Sequence, residues 1–232
     1  AIADIDMEHL CVGIYAWAIV TDHELEQSYL VSQLDQLQTQ ILVDDILTTT
    51  KPEIDAFSLK QDFVSNLSQL EYQQKFDQLK EYIHAGDCYQ VCLAQRFEAP
   101  YKGNPWHAYQ QLRKASPTPF SAYMETHKGA LLSLSPERFL QVDDGKVETK
   151  PIKGTRPRGV SKAQDQQFHD QLQSSAKDRA ENVMIVDLLR NDLSKHCEPF
   201  SVKVPKLLEV ESYSNVHHMV TTITGKLSSS DL

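Results

Sequence analysis

The chain of 232 residues has only eight glycines and four cysteines. No Gly-rich loop of the G-x-G-x-x-G or Walker type is present, which excludes the common glycine-based phosphate sites. The cysteines (Cys11, Cys88, Cys92 and Cys197) have no spacing typical of a zinc or redox site. We therefore expect neither a Rossmann-type cofactor nor thiol chemistry, and a reducing cytoplasm is the expected location.

Clustered positive charge and long apolar runs are also missing. The chain has 23 Lys and Arg against 32 Asp and Glu, for a net charge of -9, and the basic residues are scattered. Nucleic-acid binding needs clustered cations, so we expect no such partner. The longest apolar stretch, Cys11 to Val20, is about half of the ~20 residues that a membrane span requires. We expect a globular protein without a membrane partner.

The two ends of the sequence suggest part of a longer protein. The chain starts at Ala1 without methionine, shows no signal-peptide pattern, and ends in the Ser-rich "GKLSSSDL" directly after an apolar run. Residues 34–65 are polar and form the best linker candidate. We therefore expect residues 1–65 to be the end of an N-terminal region with its linker, and residues 66–232 to form one partial domain.

Helix and strand signals are mixed along the chain. Ser68 and Glu71 have the spacing of a capping box, Gly86 ends that helix, and Pro105 begins another. The stretch "FLQVDDGKVETK" predicts a hairpin. Further strands are predicted at 10–20, 28–32, 89–97, 202–210 and 217–224, with a long helix at 178–193. Since strands and helices do not alternate regularly, we predict an α+β fold with a layered, mixed sheet.

A lysine and a glutamate flank the predicted hairpin. Lys153 follows the stiff Pro151 and precedes the flexible Gly154 in "PIKGT", and Glu137 lies in "SPERFL". Each residue alone is typical of a solvated surface. Strand pairing, however, brings the outer ends of a hairpin together, so the amine and the acid are predicted to face one site. Such a pair suits attack by the amine while the acid protonates a departing hydroxyl.

Two other groups leave alternatives open. Asp178 and Glu181 lie three residues apart on one helical face, where they hold a hard cation or merely complement the helix dipole. His217 and His218 point to opposite faces of a strand, and periodicity does not decide which one faces a site.

Five stretches, taken together and in this order, resemble the chorismate-utilising enzymes, a family that includes anthranilate and isochorismate synthases. They are "GDCYQVCLAQRF", "SPERFL", "PIKGTRPRG", "SAKDRAENVMIVDLLRND" and "VHHMVTTITGKL". The resemblance implies a chorismate-binding domain with helices packed outside a mixed sheet. Lysine at position 153 is typical of the aminodeoxychorismate synthases in this family, whereas anthranilate synthases carry alanine there.

The resemblance also implies roles for single residues. Lys153 attacks C2 of chorismate, Glu137 acts as general acid on the C4 hydroxyl, and ammonia from a separate glutamine amidotransferase subunit enters at C4. Glu181 is a Mg²⁺ ligand, and Asp178 lies close to the metal, in contact through water. His218 is the active-site histidine, and Gly154 and Thr155 line the substrate carboxylate.

One departure from the family pattern concerns the C-terminal side. A Gly-rich "GSITGAPK"-like segment, further substrate-binding residues and a second metal-ligand glutamate are all missing. We therefore expect an internal portion of the longer enzyme that is inactive alone. Two alternatives to an aminodeoxychorismate synthase remain: an anthranilate synthase, which is a lyase, and an inactive fragment that serves only as a binding or folding unit.

Overall fold

The computed structural model describes residues 5–7 and 10–228. Helices and strands are both abundant in this part of the chain. The strands form one five-stranded sheet and several two-stranded sheets, and this combination confirms the predicted α+β class. Contacts divide the chain into two compact units, Ala1–Ala115 with Tyr123–Leu132 and Ser116–Ala122 with Ser133–Leu232. Among the described residues, no helix has the length and apolar character that a membrane crossing needs. The domain boundary predicted at residue 65 stays a prediction.

The described residues of the first unit form small antiparallel sheets and three helices. Local signals explain the helix ends: Ser68 and Glu71 form both bonds of the capping box, and Gly86 stops the helix at φ 84°. Strands β1 and β2 pair with each other, as do β3 with β6 and β4 with β5. The elements are β1 (Trp17–Asp22), β2 (Gln27–Ser32), α1 (Gln36–Thr48), β3 (Ser58–Leu59), β4 (Val64–Ser65), α2 (Gln69–Ala85), β5 (Phe97–Glu98), β6 (Tyr101–Lys102) and α3 (Pro105–Ala115).

Two strand predictions for this unit need correction, and the predicted linker contains a helix. The strand predicted at 10–20 begins only at Trp17, where the pairing with β2 starts. The strand predicted at 89–97 is wrong except for its last residue, because β5 finds a partner over only two residues of β4. The polar segment 34–65 contains α1, whose first turn is capped by the side chain of Asp35.

The second unit is built around one long strand. Strands β7 (Phe120–Thr126) and β8 (Gly129–Ser135) form a two-stranded sheet whose residues are divided between the units. The remaining elements are β9 (Arg138–Asp143), β10 (Lys146–Lys150), β11 (Ile152–Pro157), α4 (Lys162–Ser174), α5 (Ala176–Ser194), β12 (Lys203–Ser212) and β13 (Val216–Lys226). The predicted hairpin is confirmed as β9 and β10, and the predicted long helix as α5.

Strand β13 organises the sheet of this unit. Its first half pairs with β11 and its second half with β10, while β12 runs along its other edge and β9 lies beyond β10. Helices α4 and α5 pack on the sheet. Two apolar clusters form the core, one around Val147, Val186, Leu193, Cys197 and Ile223, the other around Leu172, Leu208 and Met219. This packing fixes the step from β10 to β11, where the predicted site residues lie.

Candidate active site

A β-bulge presents Lys153. Ile152 pairs with Val220 and Thr155 with His218, so β11 has one more residue than β13 across this interval. The extra residue is accommodated at Gly154, whose φ of +88° belongs to the left-handed region. Bulges of this kind redirect a side chain out of the regular alternation. The Pro-Ile-Lys-Gly-Thr sequence therefore places the half-buried Lys153 at a break in the strand.

Glu137 and Lys153 meet at the same residue. The Glu137 carboxylate accepts a hydrogen bond of 3.1 Å from the backbone N–H of Ile152, and the Lys153 Nζ donates one of 3.2 Å to the Ile152 carbonyl. The Ser135 hydroxyl accepts from the Glu137 N–H at 3.0 Å and so holds the backbone before the acid. The hairpin thus brings the acid and the amine to one place in the chain.

His218 lies one strand away from this pair. Its Nδ1 is 3.0 Å from the Thr155 hydroxyl, and the residue is buried. Burial lowers the pKa of His218, while a backbone hydrogen bond with Gly154 and the charges of Glu137 and Glu211 partly oppose this effect. The neutral imidazole is therefore favoured. The protonation of His218 is thus coupled to the charge of Glu137 and to its hydrogen bond with Gly154.

The neighbouring His217 faces a different set of groups. Its Nε2 lies 3.0 Å from Asp165 and its Nδ1 2.8 Å from the Ser212 hydroxyl. Both histidines are buried, although they point to opposite faces of β13. His217 joins β13 to α4, so its contacts are structural, whereas His218 is the histidine that contacts Gly154 and Thr155 at the bulge.

Asp178 is held by an arginine of the same motif as Lys153. The Asp178 carboxylate accepts a hydrogen bond of 2.9 Å from Arg156 Nη2, and only 8% of its side chain is exposed. Burial raises the pKa of Asp178, but hydrogen bonds from Ser175 and Arg156 outweigh burial, and the net effect lowers the pKa. Asp178 is thus a charged carboxylate with an internal counter-ion. It packs beneath Gly154, where a Cβ atom would lie 2.9 Å from the Asp178 Cβ.

Glu181 is the more open of the two predicted metal carboxylates. Its side chain is 34% exposed and its partner is Lys177, one turn earlier, at 3.3 Å. Within the described residues, no three His, Cys, Asp or Glu side chains are grouped as a metal site. A Mg²⁺ ion is usually held by one or two protein carboxylates together with water and ligand oxygens, so Glu181 would be the carboxylate open to such an ion, while Asp178 is already paired with Arg156. The metal assignment stays a prediction.

Several contacts around the site did not emerge from the sequence. Arg156 and Arg158 are both engaged with internal carboxylates, Asp178 and Asp165, rather than left free for a substrate. Glu211 and Tyr213 lie beside His218 and are joined by a hydrogen bond of 2.6 Å. The sequence does indicate that Glu211 and Tyr213 lie on the same side of the chain, since residues two apart in an extended segment share a face. The partners themselves come from other elements and leave no local pattern.

Sequence comparisons relate the chain to known proteins. Residues 3–230 match the family model described as chorismate binding enzyme. Aminodeoxychorismate synthase component 1 of Klebsiella aerogenes is 47% identical over 97% of the chain and 49% of its own length. The same-named protein of Escherichia coli is 46% identical over 97% of the chain and 49% of its own length. The chain thus spans about half the length of the curated relatives it matches.

Solved structures give the same result for the fold. Anthranilate synthase component I from Streptococcus pneumoniae superimposes with a TM-score of 0.79 at 28% identity, over 93% of this chain and 50% of that one. The Escherichia coli isochorismate synthase MenF has a TM-score of 0.65 at 18% identity, over 87% and 48%, and supports the fold alone. With a family match over almost its whole length, the chain belongs to the chorismate-binding enzymes.

Proposed function

We propose that the protein containing this chain is an aminodeoxychorismate synthase component I, which converts chorismate and ammonia to 4-amino-4-deoxychorismate. The observation that carries the proposal is the placement of Glu137 and Lys153 on the N–H and carbonyl of one residue, Ile152. A nucleophilic amine and a general acid need such a shared position to act on adjacent parts of one ring. The names of the relatives, at 45–47% identity, support the same activity.

In the proposed reaction, the neutral amine of Lys153 forms a bond to C2 of chorismate. The ring double bonds shift, the C4–O bond breaks, and Glu137 gives its proton to the departing hydroxyl, which leaves as water. Ammonia then forms a bond to C4 and loses a proton, which restores the acid form of Glu137; the double bonds shift back, and the C2–N bond to Lys153 breaks. The lysine is restored as a free amine, and the net change replaces a hydroxyl by an amino group.

The other residues serve binding and orientation in this scheme. Thr155 and the backbone of Gly154 line a substrate carboxylate, and the buried, predominantly neutral His218 is a hydrogen-bonding partner for the ring substituents. Glu181 would hold Mg²⁺, which offsets the charge of a substrate carboxylate when bound. A calorimetric titration with Mg²⁺ checks this role, because Glu181→Ala should remove binding that Asp178→Asn largely retains.

Ammonia is proposed to come from a glutamine amidotransferase subunit. None of the four cysteines lies in a Gly-rich nucleophile elbow, so the sequence offers no thiol for glutamine hydrolysis. We expect ammonium salts to support product formation by the isolated component, and glutamine alone to fail.

Anthranilate synthase is the second candidate, and the fold similarity to the Streptococcus pneumoniae enzyme favours it. The two reactions share the metal and the acid, but a lyase has no need for Lys153. Product analysis with chorismate, Mg²⁺ and ammonium separates them, since anthranilate is fluorescent and aminodeoxychorismate is not. If neither product forms, a purely binding or folding role would remain.

The nucleophile itself is tested by trapping. Full-length protein incubated with chorismate and Mg²⁺ but without ammonia should carry added mass on Lys153 in peptide maps, and Glu137→Gln should slow its appearance. Lys146→Arg, an exposed change in the same hairpin, is the matched control and should leave adduct formation unchanged. Near-normal turnover by Lys153→Arg together with no adduct would contradict the mechanism.

A further inference from the structure

Tyr213, just after β12, has every polar group engaged. Its backbone N–H donates to the Val216 carbonyl at 2.8 Å, its carbonyl accepts from Arg158, and its hydroxyl donates to Glu211 at 2.6 Å. The ring meets the His218 imidazole edge to face, with centroids 5.6 Å apart and an interplanar angle of 62°. A residue anchored at three points delivers its ring to the histidine in one orientation.

The anchor continues to a lysine on β10. Lys150 Nζ donates to the other Glu211 oxygen at 2.6 Å, and both side chains are about three-quarters buried. Burial and the neighbouring Glu211 raise the pKa of Tyr213 to about 12, so its hydroxyl keeps its proton and remains a donor across the physiological range. Lys150, Glu211 and Tyr213 thus form a chain of hydrogen bonds, here named the Lys-Glu-Tyr chain, that ends at the His218 ring.

We propose that Tyr213 is a positioning residue for His218, and that the Lys-Glu-Tyr chain keeps the imidazole in the orientation that faces substrate. Thr155 holds the imidazole at Nδ1, and the Tyr213 ring blocks rotation of the ring plane. The hydrogen bond alone would leave the imidazole free to rotate about it. The two contacts together, from different elements, define the orientation of the His218 ring. The inference rests on the proposed function, because it assigns a purpose to the geometry of His218 in that reaction.

The expected effects follow from what each substitution removes. Tyr213→Leu removes the ring, and misplacement of a group that contacts substrate lowers kcat by about tenfold or more while KM changes little. Tyr213→Phe keeps the ring and loses only the anchor to Glu211, so its kcat falls between those of Tyr213→Leu and the unmodified protein. Tyr29→Leu is the matched control: Tyr29 is an exposed tyrosine of β2 whose hydroxyl also donates at 2.6 Å, to Gln27, and its loss should leave kcat unchanged.

The test is a double-mutant cycle in the full-length protein. If Tyr213 acts through the histidine, Tyr213→Leu lowers kcat in the unmodified background and has no further effect in a His218→Ala background. Equal loss in both backgrounds, or an unchanged kcat, overturns the proposal. Thermal unfolding of each variant separates a positioning effect from general destabilisation.

A second readout is independent of activity. Nitrogen NMR of the His218 ring should show one set of imidazole shifts in the unmodified protein, and broadened or averaged shifts in Tyr213→Leu but not in Tyr29→Leu. If His218→Ala leaves turnover intact, the histidine's part in the proposed function fails, and the NMR experiment still decides whether Tyr213 orients the ring. Unchanged His218 signals in Tyr213→Leu contradict the inference.

Discussion

Gly154 meets two separate demands at one residue. Its φ of +88° is the backbone conformation that the bulge beside Lys153 needs, and its missing side chain lets Asp178 and Leu172 approach the strand. Both the bulge and the packing of the helices therefore require glycine at position 154, directly after the proposed nucleophile Lys153. An L-residue there would disturb both the aim of Lys153 and the position of α5.

Comparison of two glycine substitutions separates these demands. Gly86 has nearly the same φ, +84°, but nothing within 4 Å of an added Cβ, whereas at Gly154 the Cβ would lie 2.9 Å from both Asp178 and Leu172. Gly86→Ala should lower the free energy of unfolding by about 1–2 kcal/mol through backbone strain alone. Gly154→Ala should cost about 1–3 kcal/mol more, because steric overlap adds to the strain. Urea titrations followed by circular dichroism test this, and equal losses would mean that the packing at Gly154 is readily relaxed.

Phe200 shows backbone strain away from the site. Its φ is +63°, in a region that suits glycine, and its side chain is 94% exposed, so little packing compensates. We expect Phe200→Gly to raise the free energy of unfolding by about 0.5–1 kcal/mol, since relief of strain exceeds the added chain entropy. Phe139→Gly is the contrast: Phe139 is 80% exposed in the regular strand β9, and its loss should destabilise. A stability loss in both variants would rule out strain at Phe200.

At the level of elements, local chemistry explains which ones were predictable. The capping box of α2, the proline that opens α3 and the Asp-Asp-Gly-Lys turn between β9 and β10 are encoded within a few residues. Helix α4 escaped prediction because it is polar almost all round and buries only Leu172. The stretch 89–97 misled because apolar alternation alone does not supply a pairing partner.

The same distinction applies to the candidate site. The approach of Glu137 to Lys153 could be inferred, since the two residues flank one hairpin and strand pairing brings the outer ends of a hairpin together. The Arg156–Asp178 pair joins β11 to α5, which are distant in sequence, and the contact of Tyr213 with His218 spans the turn between β12 and β13. Such pairings depend on how α5 and β12 pack against β11 and β13, which periodicity does not specify.

Asp165 joins α4 to β13 and to the segment after β11, and we expect it to make the second unit sensitive to acid. From the start of α4, its carboxylate accepts two hydrogen bonds from Arg158, one from the Gly159 N–H and one from His217 on β13. These bonds, with Arg158 the strongest, hold the pKa of Asp165 far below its ordinary value of 3.8. Because the folded-state pKa is depressed, the stabilisation is complete above pH 3.8 and is lost as the pH falls below it.

Asp165→Asn should therefore reduce stability at neutral pH and weaken the pH dependence of unfolding below pH 4. Asparagine keeps the shape of the side chain but gives up the charge that Arg158 and His217 share. Asp192→Asn, on the exposed surface of α5, is the control and should leave the acid profile close to that of the unmodified protein. Thermal unfolding at a series of pH values provides the measurement. An unchanged profile in Asp165→Asn would assign the acid sensitivity to other carboxylates.

At the scale of the whole molecule, the surface beside Glu137 is apolar and open. A cavity of about 450 Å³ beside Glu137 is lined by Phe139, Ile185, Leu188 and Leu189 among others, and both Phe139 and Leu188 are substantially exposed. Exposed apolar patches of this kind mark surfaces that a further part of a protein or a partner covers. The curated relatives are about twice as long as this chain, so they have residues available to cover it.

This leads to a prediction about the isolated chain. A lysine nucleophile must be neutral to attack, and exclusion of water from the site favours that form, so a site open to water is poorly suited to nucleophilic attack. We expect the 232-residue chain, given chorismate, Mg²⁺ and ammonium, to turn over at least about 100-fold more slowly than the full-length protein, because positioning and exclusion of water are both incomplete. The isolated chain should also bind an apolar fluorescent dye more strongly. Full-length Lys153→Ala defines the floor of the assay, and turnover by the chain close to that of the full-length protein would show that the described residues already contain a complete active site.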